Sequence, residues 1–294
     1  MKKIIDLSKN NAVTDWSKVK SAVDGVIIRC GFRGWGSGKI TADKKASEFA
    51  LKCDAYGIPF GVYFMSQAIT PAEGREEADY ACDFADKYGA LLPIFIDSED
   101  GDGTSRIVRA DGLTKDKRTD IAKAFCDRVQ ERGRKSGVYA SESWFGSNLN
   151  YNALTQYIIW CAKYGANTGS KCTSVKLSKC DMHQYTSRGQ ISGIKGNVDI
   201  SECYFLDTGN TENNAHAHIQ PNYKAGQDYF VHVNGLRIRS APSTSGKIIG
   251  SVSNRAVKNR ATTRDSKGQI WMDISGTSKQ EWICADTGKK SFVY

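Results

Sequence analysis

Seven short apolar runs, separated by polar-faced segments of helical spacing, occupy the first 207 residues and constrain what this chain can fold into. The runs are 3-KIIDLS-8, 25-GVIIRCG-31, 58-IPFGVYFMS-66, 91-LLPIFID-97, 136-SGVYAS-141, 157-YIIWCAKY-164 and 181-DMHQYT-186. Strands buried on both faces read as such runs, and strands that alternate with helices build a parallel sheet. Two of the intervening segments carry helix punctuation. In 41-TADKKASEFALKCDAYG-57, Thr41 is placed to cap the start and Gly57 the end. The segment 71-PAEGREEADYACDFADKYG-89 opens with a proline and acidic residues, which a helix N-terminus favours. Over about 200 residues this alternation predicts an α/β fold, a closed β/α barrel rather than an open doubly wound sheet. No Gly-x-Gly-x-x-Gly follows the first run, so a dinucleotide-binding sheet has no support.

The style of the sequence changes after residue 207. The stretch 208-TGNTENNAHAHIQPN-222 is polar, rich in asparagine and closed by a proline, and reads as a linker. Beyond it, 228-DYFVHVNGLRIRSAPSTSGKIIGSVSNRAVKNR-260 consists of short alternating strands broken by Asn-Gly, Ala-Pro and Ser-Gly turns. Residues 223–294 are therefore predicted to form a small all-β barrel. Charge divides along the same line. Residues 222–294 hold 12 Lys+Arg against 5 Asp+Glu, leaving 29 against 27 for the rest of a chain whose formal net charge is +9. The basic character belongs to the C-terminal piece, which is expected to meet something anionic. Nucleic acid is not the expected partner, since no aromatic-interleaved basic groove is evident.

Residue counts remove several chemistries. Only His183, of four histidines, lies before residue 210, too few for a zinc amidase or peptidase there. A Ser-His-Asp triad would have to use His183, and no Gly-x-Ser-x-Gly elbow occurs. His183 is expected to be a structural hydrogen-bond partner. The nine cysteines contain no Cys-x-x-Cys and read as free thiols of a reducing compartment. A zinc site would need Cys172, Cys180 and His183, whose spacing fits no common pattern, so neither metal nor cofactor is expected. The stretch 1-MKKIIDLSKNN-11 is too short in apolar residues for a secretory signal, and no window approaches eighteen consecutive apolar residues. The chain is thus expected to be made in the cytoplasm, to have no membrane span, and to leave only by lysis or an unconventional route.

What remains is carboxylate chemistry. In 91-LLPIFIDSEDGDG-103 a strand over Leu91 to Ile96 is followed by Asp97, Glu99, Asp100 and Asp102. Loops after the C-terminal strand ends form the active-site face of a parallel β/α barrel. Asp6 closes the strand Ile4–Ile5, and Asp199, after 191-ISGIKGNV-198, is placed to close the last strand. Asp97 and Glu99 are two apart, so on an extended chain their side chains point the same way. Crowded carboxylates cannot all ionise cheaply, and a protonated acid beside an ionised one is the arrangement used in glycoside hydrolysis. Trp35, Tyr63, Phe64, Tyr139, Trp144, Trp160, Tyr164 and Tyr185 stand near strand ends, where aromatic faces suit sugar rings. Asp100 and Asp102 are assigned to a solvated, glycine-flanked loop. That loop lacks the twelve-residue calcium pattern.

The set 4-IIDLSKNN-11 with Asp15-Trp16, then 26-VIIRCG-31, 61-GVYFMS-66, 94-IFIDSED-100, 138-VYAS-141, 159-IWCAKYG-165 and 184-QYTSRGQISGIKGNVDIS-201 resembles glycoside hydrolase family 25, in order through residues 1–207. The resemblance implies an irregular, TIM-like β/α barrel that cleaves the β-1,4 bond between N-acetylmuramic acid and N-acetylglucosamine in bacterial peptidoglycan. It implies Glu99 as general acid and Asp97 as the partner that assists the substrate acetamido group or stabilises a charged intermediate. Asp6 and Asp199 would complete an acidic floor. Substrate contacts implied by the same motifs are Tyr63, Arg29, Tyr139, Trp160, Tyr164, Gln184 and Tyr185. Two departures stand out: Phe64 replaces a pocket histidine that the family often carries, and the late motif ends Val-Asp-Ile-Ser. The tail, through 235-GLRIRSAPSTSGKIIGSV-252, 271-WMDIS-275 and 281-EWICA-285, resembles a bacterial SH3-like domain that binds cell walls. That implies peptidoglycan peptides or associated anionic wall polymers as partners. Together the parts resemble a phage endolysin that reaches the wall through a holin pore. Two alternatives stay open. One is a chitinase-like N-acetylglucosaminidase, whose usual Asp-x-x-Asp-x-Asp-x-Glu run is missing here. The other is a wall-binding protein without catalysis, against which the four carboxylates stand.

Overall fold

Each of the seven apolar runs forms a strand in the computed structural model, which describes residues 1–100, 109–206, 223–231, 233, 235–253, 255–275, 280–287 and 292–293. The linker expected at 208–222 and the loop residue Asp102 lie outside the described residues. The chain divides into two compact units, Met1–Asn213 and Asn214–Tyr294. In chain order the first holds β1 (Lys2–Leu7), β2 (Ala12–Val13), α1 (Trp16–Ala22), β3 (Gly25–Arg33), β4 (Ile40–Ala42), α2 (Ala46–Tyr56), β5 (Phe60–Met65) and α3 (Pro71–Tyr88). It continues with β6 (Ile94–Asp97), α4 (Lys115–Glu131), β7 (Ser136–Ser141), α5 (Glu142–Ser147), β8 (Ile158–Ala162), β9 (Met182–Gly189), β10 (Ile194–Lys195) and β11 (Val198–Cys203).

Strands β1, β3, β5, β6, β7, β8 and β9 pair in parallel in that order. β11 lies antiparallel between β9 and β1 and closes an eight-stranded barrel. The pleat sorts each run into two cores. Ile4, Ile27, Phe95, Trp160, Met182 and Cys203 fill the barrel interior. Ile5, Val26, Ile28, Val62, Ile96, Val138 and Ile159 point outward onto Phe49 of α2, Ala78 and Ala81 of α3, and Phe125 and Val129 of α4. Burial on both faces explains why the strands read as continuous apolar runs rather than as an alternation. Gly137 shows how tight the interior is: a Cβ there would stand 2.5 Å from Phe95 Cε1 and 2.7 Å from the Ile158 carbonyl oxygen.

Helix α3 starts and ends as the sequence predicts. The Thr70 side chain accepts from the Glu73 N–H, Pro71 occupies the first turn, and Gly89 ends the helix at φ 72°. Helix α2 ends at Gly57 (φ 63°) but begins at Ala46, with Lys45 in the cap position, four residues later than a cap at Thr41 predicts. Thr41 is in β4, paired with Phe32, so its backbone is committed to a sheet. β6 is likewise shorter than the apolar run, since Leu91 is half exposed and Pro93 has no N–H to give a ladder. All nine cysteines are free thiols, six of them buried as small apolar groups. His183 is buried, with Nε2 2.8 Å from the Lys163 carbonyl oxygen, and burial lowers its pKa. Among the described residues no helix is long and apolar enough to cross a membrane.

The second unit is all β. Its strands are β12 (Asp228–Val231), β13 (Leu236–Arg239), β14 (Ile248–Val252), β15 (Arg255–Lys258), β16 (Ala261–Arg264), β17 (Ile270–Asp273) and β18 (Trp282–Asp286). They form two antiparallel sheets, β12-β15 and β14-β13-β18-β17-β16. One core joins Tyr223, Val231, Ile238, Val257, Met272 and Ile283. The Tyr223 hydroxyl donates to the Val293 carbonyl at 3.0 Å and ties the end of the chain to that core.

Candidate active site

Alternation along the barrel strands decides which side chains meet at its mouth. Asp6 stands two residues beyond interior Ile4, Asp97 two beyond Phe95, and Gln184 two beyond Met182. Backbone pairing holds β6 to its end, with the Ser66 N–H on the Asp97 carbonyl and the Ser98 N–H on the Tyr139 carbonyl, both at 3.0 Å. Glu99 is the first residue past that ladder. Asp199 was placed by sequence at the end of a strand, but it is the second residue of β11. Because β11 runs antiparallel, its N-terminal end opens at the same mouth as the C-terminal ends of the other strands. Asp199 there stands opposite Asp6.

Asp6, Asp97, Glu99 and Asp199 line one cavity of about 160 Å³, together with Tyr63, Tyr139, Trp160, Tyr164 and Gln184. Gln184 is the hub. Its Nε2 donates to Asp6 Oδ2 at 2.8 Å, while its Oε1 accepts from the Tyr139 hydroxyl at 2.8 Å and the Tyr164 hydroxyl at 2.6 Å. Trp160 is fully buried, its ring edge-on to Tyr139, Phe95 and Tyr63, and its Nε1 donates to Ser201 Oγ at 3.0 Å. It therefore makes the floor of the cavity and presents no face to a sugar.

The carboxyls share too little water and too much charge to ionise normally. Burial, then the charge of Asp199, push Asp6 well above the usual carboxylate range, with the Gln184 donor opposing. Burial also raises Asp199, and the hydrogen bond from Asp6 partly offsets this. Of the two, Asp6 is raised the more strongly. Asp97 is raised well above its ordinary value by burial first, then by the charges of Glu99 and Asp6, and lowered by Arg29. Glu99 is pushed up to about 7, by desolvation first and then by Asp199, again with Arg29 opposing. The two differ in access: Asp97 is buried, whereas Glu99 is exposed at the rim while lining the cavity. Among the described residues, Asp97 Oδ1 is buried without a hydrogen-bond partner. A buried, unpaired carboxyl oxygen is costly and calls for a donor from outside the protein.

Not every expected residue reaches the cavity. Arg29 is turned to Asp43, with Nη2 2.7 Å and Nε 2.8 Å from Oδ2, and acts on Asp97 and Glu99 through its charge. Tyr185 follows Gln184 on β9 and faces the other way, packing on the outer core and edge-on to His183. Phe64, expected in the pocket, lies in that outer core too, edge-on to Tyr80 of α3. Trp35 is exposed, and Trp144 stands beside the mouth, its Nε1 donating to Ser98 Oγ at 3.3 Å. Sequence reading missed Asp43, which holds Arg29, and Ser201, which holds Trp160. Ser201 was within reach, two positions past Asp199 and so on the same face.

The model of the glycosyl hydrolases family 25 matches residues 5–194. No curated protein matches the chain. Among solved structures, the modular autolysin LytC from Streptococcus pneumoniae is similar at 29% identity and a TM-score of 0.58, over 68% of this chain and 46% of that one. A structure of LytC in complex with a synthetic peptidoglycan ligand is similar at 27% identity and 0.58, over the same shares of 68% and 46%. The catalytic domain of endolysin ply40 from bacteriophage P40 of Listeria monocytogenes is similar at 26% identity and 0.57, over 69% of this chain and 93% of that one. The chain thus spans less than half the length of the LytC structures it matches.

Proposed function

Because the chain belongs to glycosyl hydrolases family 25, we propose that its barrel is a peptidoglycan hydrolase, an N-acetylmuramidase that cuts the β-1,4 bond between N-acetylmuramic acid and N-acetylglucosamine. One observation carries the chemistry: a solvent-reachable carboxyl held near neutral pKa, two residues past a buried carboxyl with an unpaired oxygen. Glu99, protonated, gives its proton to the glycosidic oxygen as the bond to the sugar breaks. Asp97 Oδ1 accepts the N–H of the substrate acetamido group, or faces the positive charge that develops on the ring. Asp6, Asp199 and Gln184 hold the floor, and the nearby charge of Asp199 helps to keep Glu99 protonated. Tyr63 and Tyr164, less buried than Trp160, are the aromatic surfaces open to sugar. Retention of configuration is expected where the acetamido group, assisted by Asp97, attacks the anomeric carbon before water does. The LytC complex with a peptidoglycan ligand supports the substrate class.

The test sets purified peptidoglycan against soluble chitin oligomers under identical conditions. Turnover of peptidoglycan with little release from chitin supports the reading, and preference for chitin would replace it with an N-acetylglucosaminidase.

For the second unit we propose an SH3-like wall-binding domain over residues 223–294, joined by a linker at 208–222 to a catalytic domain at 1–207. Its excess of 12 basic over 5 acidic residues suits a wall rich in phosphate and carboxylate. The full-length Glu99→Gln variant should co-sediment with purified walls, less so as salt rises. Binding unaffected by salt would remove the electrostatic part of the reading.

A further inference from the structure

A second cavity, of about 340 Å³, opens on the all-β unit where β13, β17 and β18 meet. Arg237 and Arg239 flank Ile238 on β13; Ile238 faces the core, so both guanidinium-bearing side chains lie on the opposite face. Arg239 is steadied by a 2.7 Å hydrogen bond from Nη1 to the Gly246 carbonyl. The Arg237 side chain is exposed and makes no hydrogen bond or ion pair among the described residues. Trp271 is fully buried on the cavity side, its Nε1 fixed by Asp265 Oδ2 at 3.0 Å. Asp265 is committed further to the N–H groups of Lys267 and Gln269. Among the described residues the lining therefore carries two guanidinium groups and no carboxylate. It also carries an unmet acceptor: Gln269 Oε1 is buried with no hydrogen-bond partner. Leu236 and Phe292 supply the apolar wall.

These groups specify a ligand. Planar guanidinium groups take a carboxylate or a phosphate. The buried oxygen of Gln269 needs a hydrogen-bond donor, which a peptide N–H supplies, and it repels the anionic oxygens of a phosphodiester. The apolar wall and a volume at the small end of ligand cavities leave room for short aliphatic side chains. We propose that this cavity binds the free carboxylate end of a short peptide with small side chains, Arg237 and Arg239 holding the carboxylate and Gln269 Oε1 accepting a peptide N–H. That such ends come from peptidoglycan rests on the reading of the barrel given above. A cross-linked peptide has lost its carboxylate to an amide, so the site favours walls with open peptide ends.

The test is calorimetric titration of the full-length protein with N-acetyl-Ala-Ala-Ala, in the L and the D series, as the free acid and as the C-terminal amide. The acid of one series should bind, and its amide should bind at least about tenfold more weakly, the value of one charge-assisted pairing. Arg237→Gln should remove that preference while leaving melting temperature unchanged, as the Arg237 side chain bonds to nothing among the described residues. Gln269→Leu should weaken acid and amide alike. Equal binding of acid and amide, an unaffected Arg237→Gln variant, or inorganic phosphate competing as well as the acid would each overturn the proposal, the last by showing a general anion site. Glycan cleavage is measured separately in wild type, so failure of the barrel reading is seen independently of the peptide titration.

Discussion

Gln184 gives the clearest stability prediction, because three hydrogen bonds at the barrel mouth end on one buried side chain. Gln184→Leu removes all three and keeps the volume. The Tyr139 hydroxyl is enclosed and loses its acceptor, a cost of ~1–3 kcal/mol for a buried unsatisfied group. Asp6 loses a donor worth ~1 kcal/mol. Tyr164 is partly exposed and can turn to water, so its loss is small. The total is roughly 2–4 kcal/mol, which for a unit of this size lowers Tm by ~5–15 °C. Calorimetry on the full-length variant measures it. Adding Tyr139→Phe to Gln184→Leu removes the orphaned hydroxyl and should recover part of the loss, the non-additivity expected of groups in one network. A Gln184→Leu protein that melts within about 2 °C of wild type, a shift worth under 1 kcal/mol for a unit of this size, would refute the reasoning.

The pH dependence follows from the same crowding. Glu99 acts as an acid, and with its pKa pushed up to about 7 its protonated fraction, and so kcat, should fall as pH rises through that value. Asp199→Asn removes a charge that raises Glu99, so this alkaline limb should move to lower pH; an unmoved limb in the rate profile would count against the coupling. Asp97 has a raised pKa in the fold, so the stability it contributes is present at low pH and lost as pH rises. Asp97→Asn should therefore melt higher than wild type at pH 8, with the gap closing toward about pH 4 in a series of melting curves, since that is where the unfolded carboxyl titrates. Gly137→Ala drives a methyl to within 2.5 Å of Phe95 Cε1 and should cost ~1–3 kcal/mol by overpacking, read as a lower Tm.

Particular residues show why part of this was legible in the sequence. Asp6 and Asp97 end apolar runs, and a run buried on both faces fixes where a parallel strand stops, so their meeting at one mouth followed from the pattern. Asp199 was expected there too, but as the end of a strand. Nothing local in 198-VDISEC-203 reveals that this strand runs antiparallel, since direction is set by which partners it reaches. Tyr185 and Phe64 went astray for a simpler reason. Each neighbours a residue that does face the cavity, Gln184 and Tyr63, and period-two alternation sends adjacent side chains to opposite faces. Arg29 alternates correctly to the interior, yet its partner Asp43 lay in a segment read as the start of a helix, so the ion pair was invisible. The charge contrast of the second unit was countable, whereas its cavity depends on cross-strand neighbours such as Trp271 and Cys284, which only register brings together.

Mass spectrometry of the fragments released from purified peptidoglycan, by wild type and by Glu99→Gln, tests the central claim most directly. The substitution keeps the shape of the side chain and removes its titrating proton. The account predicts fragments with reducing N-acetylmuramic acid ends from wild type and none from the variant. Reducing N-acetylglucosamine ends, cut peptides, or fragments released by Glu99→Gln at a comparable rate would contradict it.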